Sequence, residues 1–485
     1  LKVINKEIRD SPVSPPSETP NKQAYLTFAI VALALLMSAI DMTIISVALP
    51  TMLTDFKTNL AIVGWTITGY QFSQSIVMPI AGKLSDELGR KRLFMVAVIV
   101  FTVSSLAAGL APNIYWLIIF RVIQGIGGGT FLPSATGIVS DAFGSRRATA
   151  IGLFGSIMPI GGIIGPNLGG FFVQNFSWRW IFFINVPIGI LLIILGYKKL
   201  PSVKTVNNAH NNHLDIIGLS LFVGGILAIL YGITNWANNP TGASIMTWSL
   251  FAAGAVLLVL FMRYEGGIPK PMLEPKLLKW RPLLAVNIYN FIYGAVTFGL
   301  VSFIPYYATV AYGMNAQQEG LLLTPRSIAM IIFSTISSVF IIRFRYRLPM
   351  LIGSLICSAN FFLLGRGYHD VILFGHNLSN LVFLSIVMGM TGIGMGVANP
   401  AANNAALDLM PEKVAAVSGM RGMFRCIGGV LGTAIVTLLL SQFSDHAIGM
   451  QYIYTGFGIL LLCLIPIIFI IPDTAHQKYI NVVNE

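Results

Sequence analysis

The chain has 485 residues, of which 55% are apolar and only 10% charged, with a mean hydropathy of +0.78. That is too little polar surface to cover a water-soluble globule, so lipid is expected to be the solvent for much of it. A net charge of +12 raises the question of nucleic acid, but the basic residues recur in short clusters between apolar runs. That pattern excludes a nucleic-acid patch and marks membrane topology.

Residues 1–22, with Pro and Ser crowded between Ser11 and Pro20, read as a disordered cytoplasmic tail and not as a signal peptide. Apolar segments long enough to cross about 30 Å of hydrocarbon follow at 24–49, 61–81, 93–111, 113–139, 148–173, 179–196, 214–234, 245–262, 285–311, 320–342, 348–366, 378–405, 414–442 and 452–471. The fold class is therefore an all-α polytopic membrane protein with fourteen transmembrane helices. With the amino terminus inside, 23 of the 30 basic residues fall on the cytoplasmic side, and only Lys57, Arg179 and Arg366 on the other. Both termini are thus expected in the cytoplasm. Arg121, Arg326, Arg421 and Arg425 remain within the membrane.

The first segment contains Asp41, the one acidic residue well inside a span; the other acids fall in tails, loops or helix ends. Helix 1 runs outward, which puts Asp41 about 12 Å below the outer edge, and Arg121 on the fourth segment is about as deep. An intramembrane charge is expensive and by default functional, preferably paired. Asp41 is expected to take up and release the coupling proton with Arg121 as its partner; a static pair that only fixes packing is the alternative.

After the second segment the chain reads Gly82-Lys-Leu-Ser-Asp86-Glu-Leu-Gly89-Arg90-Lys91-Arg92. The two glycines suit a tight turn, Asp86 suits a helix N-terminus, and Asp141 at the end of the fourth helix can reach Arg90. The fourth segment carries Gly125, Gly127, Gly129, Pro133 and Asp141; the twelfth carries Gly392, Gly394, Gly396, Pro400 and Asp408, all displaced by 267 residues. Gly161, Gly162 and Gly165 of the fifth recur at the same displacement as Gly428, Gly429 and Gly432 of the thirteenth. Two neighbouring helices with one displacement indicate duplication: six helices, two inserted, six more, with parallel halves around a midplane cavity. Gly161 and Gly165 form a small-x-x-x-small face expected to meet the other half, and Pro166 permits bending.

Asp215 is expected to cap the seventh helix; the inserted pair shows no embedded charge. Tyr70, Gln71, Tyr289, Asn290, Tyr293, Asn399 and Asn403 are candidate walls of a substrate cavity, since aromatic surfaces with a few polar groups suit amphipathic ligands. Arg326, Arg421 and Arg425 either recognise an anionic group or bond to helix carbonyls and snorkel. Cys357, Cys426 and Cys463 lie in apolar stretches without metal spacing and read as small buried hydrophobes. No phosphate-binding loop, zinc spacing or catalytic triad is visible, so neither enzyme nor cofactor is expected.

The run from Gly82 to Arg92 resembles a signature of the major facilitator superfamily, departing from it at Glu87, where the family usually has a basic residue. Arg121-x-x-Gln124-Gly125-x-Gly127 is similar to that family's second motif, and Gly155-x5-Gly161-x3-Gly165-Pro166-x-x-Gly169-Gly170 to its antiporter signature. Asp41 to Pro50, and Trp178 to Gly189 with Asn185, resemble the fourteen-helix drug:proton antiporters (EmrB/QacA-like). The resemblance implies a cell-membrane, monomeric, proton-driven exporter of small amphipathic compounds that works by alternating access. It also implies a cytoplasmic gate built on Gly82, Asp86, Gly89, Arg90, Arg92 and Asp141. The organisation expected is a six-helix bundle over 23–197, inserted helices over 198–284, a second bundle over 285–473 and a cytoplasmic tail over 474–485. A lipid or anionic-amphiphile transporter on the same fold is motivated by Arg326 and Arg421; a non-transporting membrane sensor is the third reading.

Overall fold

The structure, a computed structural model, describes residues 22–143, 150, 153–154, 157–201, 215–239, 242–268, 275–373, 375–410 and 414–473. Both expected tails, the loop through 202–214, Arg146, Arg147 and Gly155 lie outside the described residues, as does the side chain of Asp86.

The first half contains α1 (Lys22–Asp55), α2 (Trp65–Leu88), α3 (Arg90–Gly109), α4 (Ile114–Phe143), α5 (Ile157–Asn175) and α6 (Asn185–Lys199). Then come α7 (Ile216–Ala237) and α8 (Ile245–Glu265). The rest comprises α9 (Arg281–Tyr312), α10 in two pieces (Ala316–Leu322 and Thr324–Phe344), α11 (Arg347–Gly365), α12 (Asn380–Leu409), α13 (Val414–Leu440) and α14 (His446–Ile470). Twelve stretches among the described residues are long and apolar enough to cross a membrane. α2 and α5 are not among them, because Gln71, Ser73, Gln74 and Ser75 in the one and five glycines and two prolines in the other dilute their apolar character. One departure from an all-helical chain is a two-residue hairpin, Ile372–Leu373 against His376–Asn377.

Helix starts follow local chemistry. Asp215 accepts from the Gly218 amide at 2.8 Å to cap α7, Ser244 and Thr247 form a reciprocal capping box on α8, and Asn315 with Gln318 does the same for α10. On α3, Val96, Ile99, Val103 and Leu106 form an exposed apolar stripe while Phe94, Val98, Phe101 and Ser105 are buried. That division is what a helix with one face on lipid and one on protein requires.

The repeated glycines sit in equivalent contacts. A Cβ at Gly127 would lie 2.9 Å from Phe101 N on α3, and one at Gly394 2.7 Å from Cys357 Sγ on α11. At Gly129 it would meet Gln74 O on α2 at 2.6 Å, and at Gly396, Met330 O on α10 at 2.8 Å. Where α13 closes on α9, a Cβ at Gly299 would lie 2.8 Å from the Gly432 carbonyl carbon. There α9 loosens into a π turn (Ala295–Gly299) and then a tight 3-10 turn (Leu300–Phe303).

The halves touch through α5 against α10 and α2 against α13. The Asn167 amide donates to Thr324 Oγ1 at 2.6 Å, and a Cβ at Gly64 would meet Thr437 at 3.0 Å. These contacts lie from mid-depth towards the end away from the termini. The run expected as a loop after α2 is helical instead: α2 continues through Asp86 to Leu88, and α3 starts at Arg90. Asp86 is therefore in the last turn of a helix, not at an N-terminus, and Gly82 lies within α2, where a Cβ would meet nothing within 4 Å among the described residues. Gly89 alone makes the turn, with φ 93°, a left-handed conformation that only glycine adopts freely.

Candidate functional site

Asp41 and Arg121 are 1% and 0% exposed, and the structure brings them together. Arg121 Nη1 donates to Asp41 Oδ2 at 2.5 Å. The second carboxylate oxygen accepts from Gln124 Nε2 at 2.8 Å and from Asn185 Nδ2 at 2.9 Å. Gln124 also donates to Ser105 Oγ at 2.7 Å. Arg121 also donates from Nη1 to Gln124 Oε1 at 2.7 Å and from Nε to the Thr66 carbonyl at 3.0 Å, and lies 4.1 Å from the Tyr70 ring centroid. Tyr70 is hydrogen-bonded to Ser38 at 3.0 Å. The carboxylate on α1 is thus bonded by α4 and α6, and linked to α2 and α3 through Arg121 and Gln124. A change in its charge is felt by five helices.

Tyr70, expected as a cavity wall, is instead fully buried in this network. Gln71 is buried too, with Oε1 unpartnered beside Gly429 of α13. Tyr289 and Tyr293 stack at 6.3 Å; Asn290 donates to its own helix at Val286 O, 2.9 Å. Tyr289 and Tyr293 border a cavity of about 10 Å³, room for one water. Asn399 accepts from Arg425 Nη1 at 3.1 Å, and Asn403 is half-buried farther along α12.

Arg90 Nη1 pairs with Asp141 Oδ1 at 2.5 Å and donates to the Gly137 carbonyl at 2.9 Å. Neighbouring Lys91 donates to the Leu200 carbonyl at 2.7 Å, tying α3 to the end of α6. Arg92 follows in the first turn of α3.

On α5 the faces are divided differently from the expectation. Gly161, Gly165 and Gly169 pack on α1 of their own half, where a Cβ would come 2.5 Å from Ala39 Cβ, 2.9 Å from Ile40 O and 2.9 Å from Ile44 O. The other half is met by Gly162, Pro166 and Gly170, against Ser327, Gly320 and Ala316. Spacing of four selects a face but not its partner.

Two acids at helix ends, where the sequence places them, are nevertheless buried. Glu319 is 2% exposed, in the first piece of α10, where the Thr309 hydroxyl donates to Oε1 and Oε2 has no partner. Glu265, 1% exposed at the end of α8, lies beside the Asp215 carboxylate across Gly218. Asp41 is therefore not alone among buried carboxylates, and the inserted pair does hold a buried acid.

The chain matches the Major Facilitator Superfamily over residues 31–286 and 286–482. It is similar to Multidrug transporter protein MdtP of Bacillus subtilis (strain 168), 31% identical over 429 residues, covering 88% of this chain and 77% of that protein. Multidrug resistance protein 3 of the same strain is 32% identical over 424 residues, 86% of this chain and 80% of that protein. Riboflavin transporter RibZ of Clostridioides difficile (strain 630) is 27% identical, with coverage of 87% and 89%. Among solved structures, the nucleoside transporter NupG aligns with a TM-score of 0.66 at 14% identity, over 92% of this chain and 100% of that one. The inward-open xylose transporter XylE from E. coli gives 0.61 at 13%, over 93% and 97%. At such identities these two likenesses concern the fold alone.

Proposed function

The chain belongs to the major facilitator superfamily, a family of membrane transporters and not of enzymes, and on that footing we propose that it is a proton-coupled antiporter exporting small amphipathic compounds. The observation that carries this reading is the buried Asp41 network. A carboxylate in the membrane can be neutralised by Arg121 or by a proton, and one of the two suffices. Arg121 keeps Thr66 O, Gln124 Oε1 and the Tyr70 face when it lets go of Asp41, so releasing the acid does not orphan the cation. Proton and arginine can therefore exchange on Asp41 as the halves rock, which favours coupling over a static strut.

In this reading all fourteen helices cross the cell membrane as six, two and six, with both termini cytoplasmic, as the 23-to-3 charge bias supports. The joined end then faces outward, and the Arg90–Asp141 pair is part of a cytoplasmic latch. The names of the relatives, multidrug transporters among them, favour drug-like cargo.

The test is ethidium uptake into inverted membrane vesicles under an imposed pH gradient, comparing wild type with Asp41→Asn. Gradient-driven accumulation is expected in wild type and not in the variant; uptake unchanged in Asp41→Asn overturns the assignment. A carboxy-terminal tag in the same vesicles is expected to be open to protease, and a protected tag reverses the orientation.

A further inference from the structure

The second half holds three arginines inside the membrane for which, among the described residues, there is no ion pair. Arg326 on α10 has one hydrogen-bond contact, Nη1 with Met395 Sδ at 4.0 Å, and its Nε is buried without a partner. Arg425 on α13 gives Nη1 to Asn399 and lies 4.8 Å and 5.2 Å from the ring centroids of Tyr293 and Phe298; its Nε is likewise unpartnered. Arg421 stands one turn earlier on the same face, again with Nε buried and unsatisfied. Tyr293 connects the set, since its hydroxyl donates to the Met395 carbonyl at 3.3 Å. α10 and α13 thus bring guanidinium donors to a region that α9 lines with aromatic rings and α12 with a methionine and an amide. Arg326 also looks across to the first half, where a Cβ at Gly162 would be 4.0 Å from its Nη2.

The contrast with Asp41 is the core of the argument. There both oxygens already have donors and the charge has its partner within the first half, so that acid is committed in this state to Arg121 rather than to a cationic substrate. Three half-buried cations whose Nε atoms are shut away from water, with no counter-charge among the described residues, are costly, and two of them, four residues apart, repel each other. A ligand that brings the missing anion relieves both. A forked guanidinium offers paired N–H groups that match a carboxylate, sulfonate or phosphate, and the rings and Met395 suit an apolar body.

We propose that Arg326, Arg421 and Arg425 form a binding site for anionic amphiphiles, an oxyanion on an apolar body. As a statement about cargo this rests on the export reading, but the site is testable without transport. The probes are fluorescein, anionic, and rhodamine 123, a cation on the same ring system, measured by fluorescence anisotropy at fixed pH with protein in phosphatidylcholine nanodiscs. Wild type is expected to bind fluorescein about tenfold tighter than rhodamine 123, the scale of a charge-assisted hydrogen bond. Arg326→Gln and Arg421→Gln are each expected to weaken fluorescein about tenfold and to leave rhodamine 123 nearly unchanged. Arg326→Lys, which keeps the charge and loses the fork, should fall between. Equal affinity of wild type for the two dyes overturns the site even if a variant fails to fold, and so does equal loss of both dyes in the variants. Phosphatidylglycerol added to the nanodisc separates the sources: displacement of fluorescein makes a lipid headgroup the occupant, indifference makes it a free amphiphile. If fluorescein is not bound while rhodamine 123 is still driven by the pH gradient, the site falls and export stands. If fluorescein binds and neither dye is moved, export falls and the site stands.

Discussion

With both oxygens of Asp41 engaged and Arg121 spread over several acceptors, the two partners are not equally replaceable. Arg121→Ala leaves a buried carboxylate with only amide donors and is expected to cost about 3–5 kcal/mol of stability. Asp41→Asn removes the charge but keeps an acceptor oxygen, and is expected to cost about 1–3 kcal/mol. Thermal unfolding in detergent checks the order; equal losses would mean that the pair matters as a strut alone. Asp41 and Arg121 are legible in the sequence because a charge inside an apolar run is rare and visible. Asn185 and Ser105 are not, since amides and hydroxyls are common in membrane helices and nothing in their spacing points at Asp41. Glu319 escapes for a different reason. The expected segment opens at 320, one residue too late, whereas Asn315 and Gln318 already write a capping box that starts the helix earlier.

At the scale of elements, α5 uses its faces for different purposes, and that separates the effects of similar substitutions. Gly161 and Gly165 close on α1 within a bundle, so Gly165→Val drives a side chain into the Ile40 carbonyl. It is expected to cost about 2–3 kcal/mol, the scale of overpacking. Gly162 and Gly170 close on α10 across the halves, so Gly170→Val is expected to leave each bundle intact and to part the joined end. Thr437→Cys, in a chain whose native cysteines have been replaced, reports this: Thr437 is buried beside Gly64, and its labelling by a membrane-impermeant maleimide should rise in Gly170→Val and not in Gly165→Val. Equal labelling would show that the faces are not functionally distinct. The existence of these helices is legible from apolar length, and the duplication from the shared displacement. Which face meets which partner is not, because glycine spacing says only that backbones approach closely.

At the scale of the whole molecule, the sequence leaves the inserted helices without a task, and the contacts supply one. Trp65 Nε1 donates to Thr234 Oγ1 at 2.8 Å and Asn59 Nδ2 to Asn238 Oδ1 at 2.8 Å, so α7 is hydrogen-bonded to α2 and the turn before it. It also packs beside α13, but no hydrogen bond among the described residues joins those two. α8 holds on through α7, where Gly225 and Gly254 approach closely. None of this is written in periodicity, since single polar side chains between distant segments make the joint. If the halves rock against each other, α7 travels with the first half and slides over α13. Two cross-links separate those motions. Asn167→Cys with Thr324→Cys places a pair across the joined end, where the two native side chains already meet at 2.6 Å, near enough for thiols to be joined. Its oxidation is expected to stop gradient-driven uptake, and reduction to restore it. Asn59→Cys with Asn238→Cys, bridged by a short bifunctional thiol reagent, ties α7 to the element it already follows and is expected to leave uptake near wild type. Should the α7 bridge stop uptake as completely as the first, α7 is not a passenger of the first half and must move against it in the cycle.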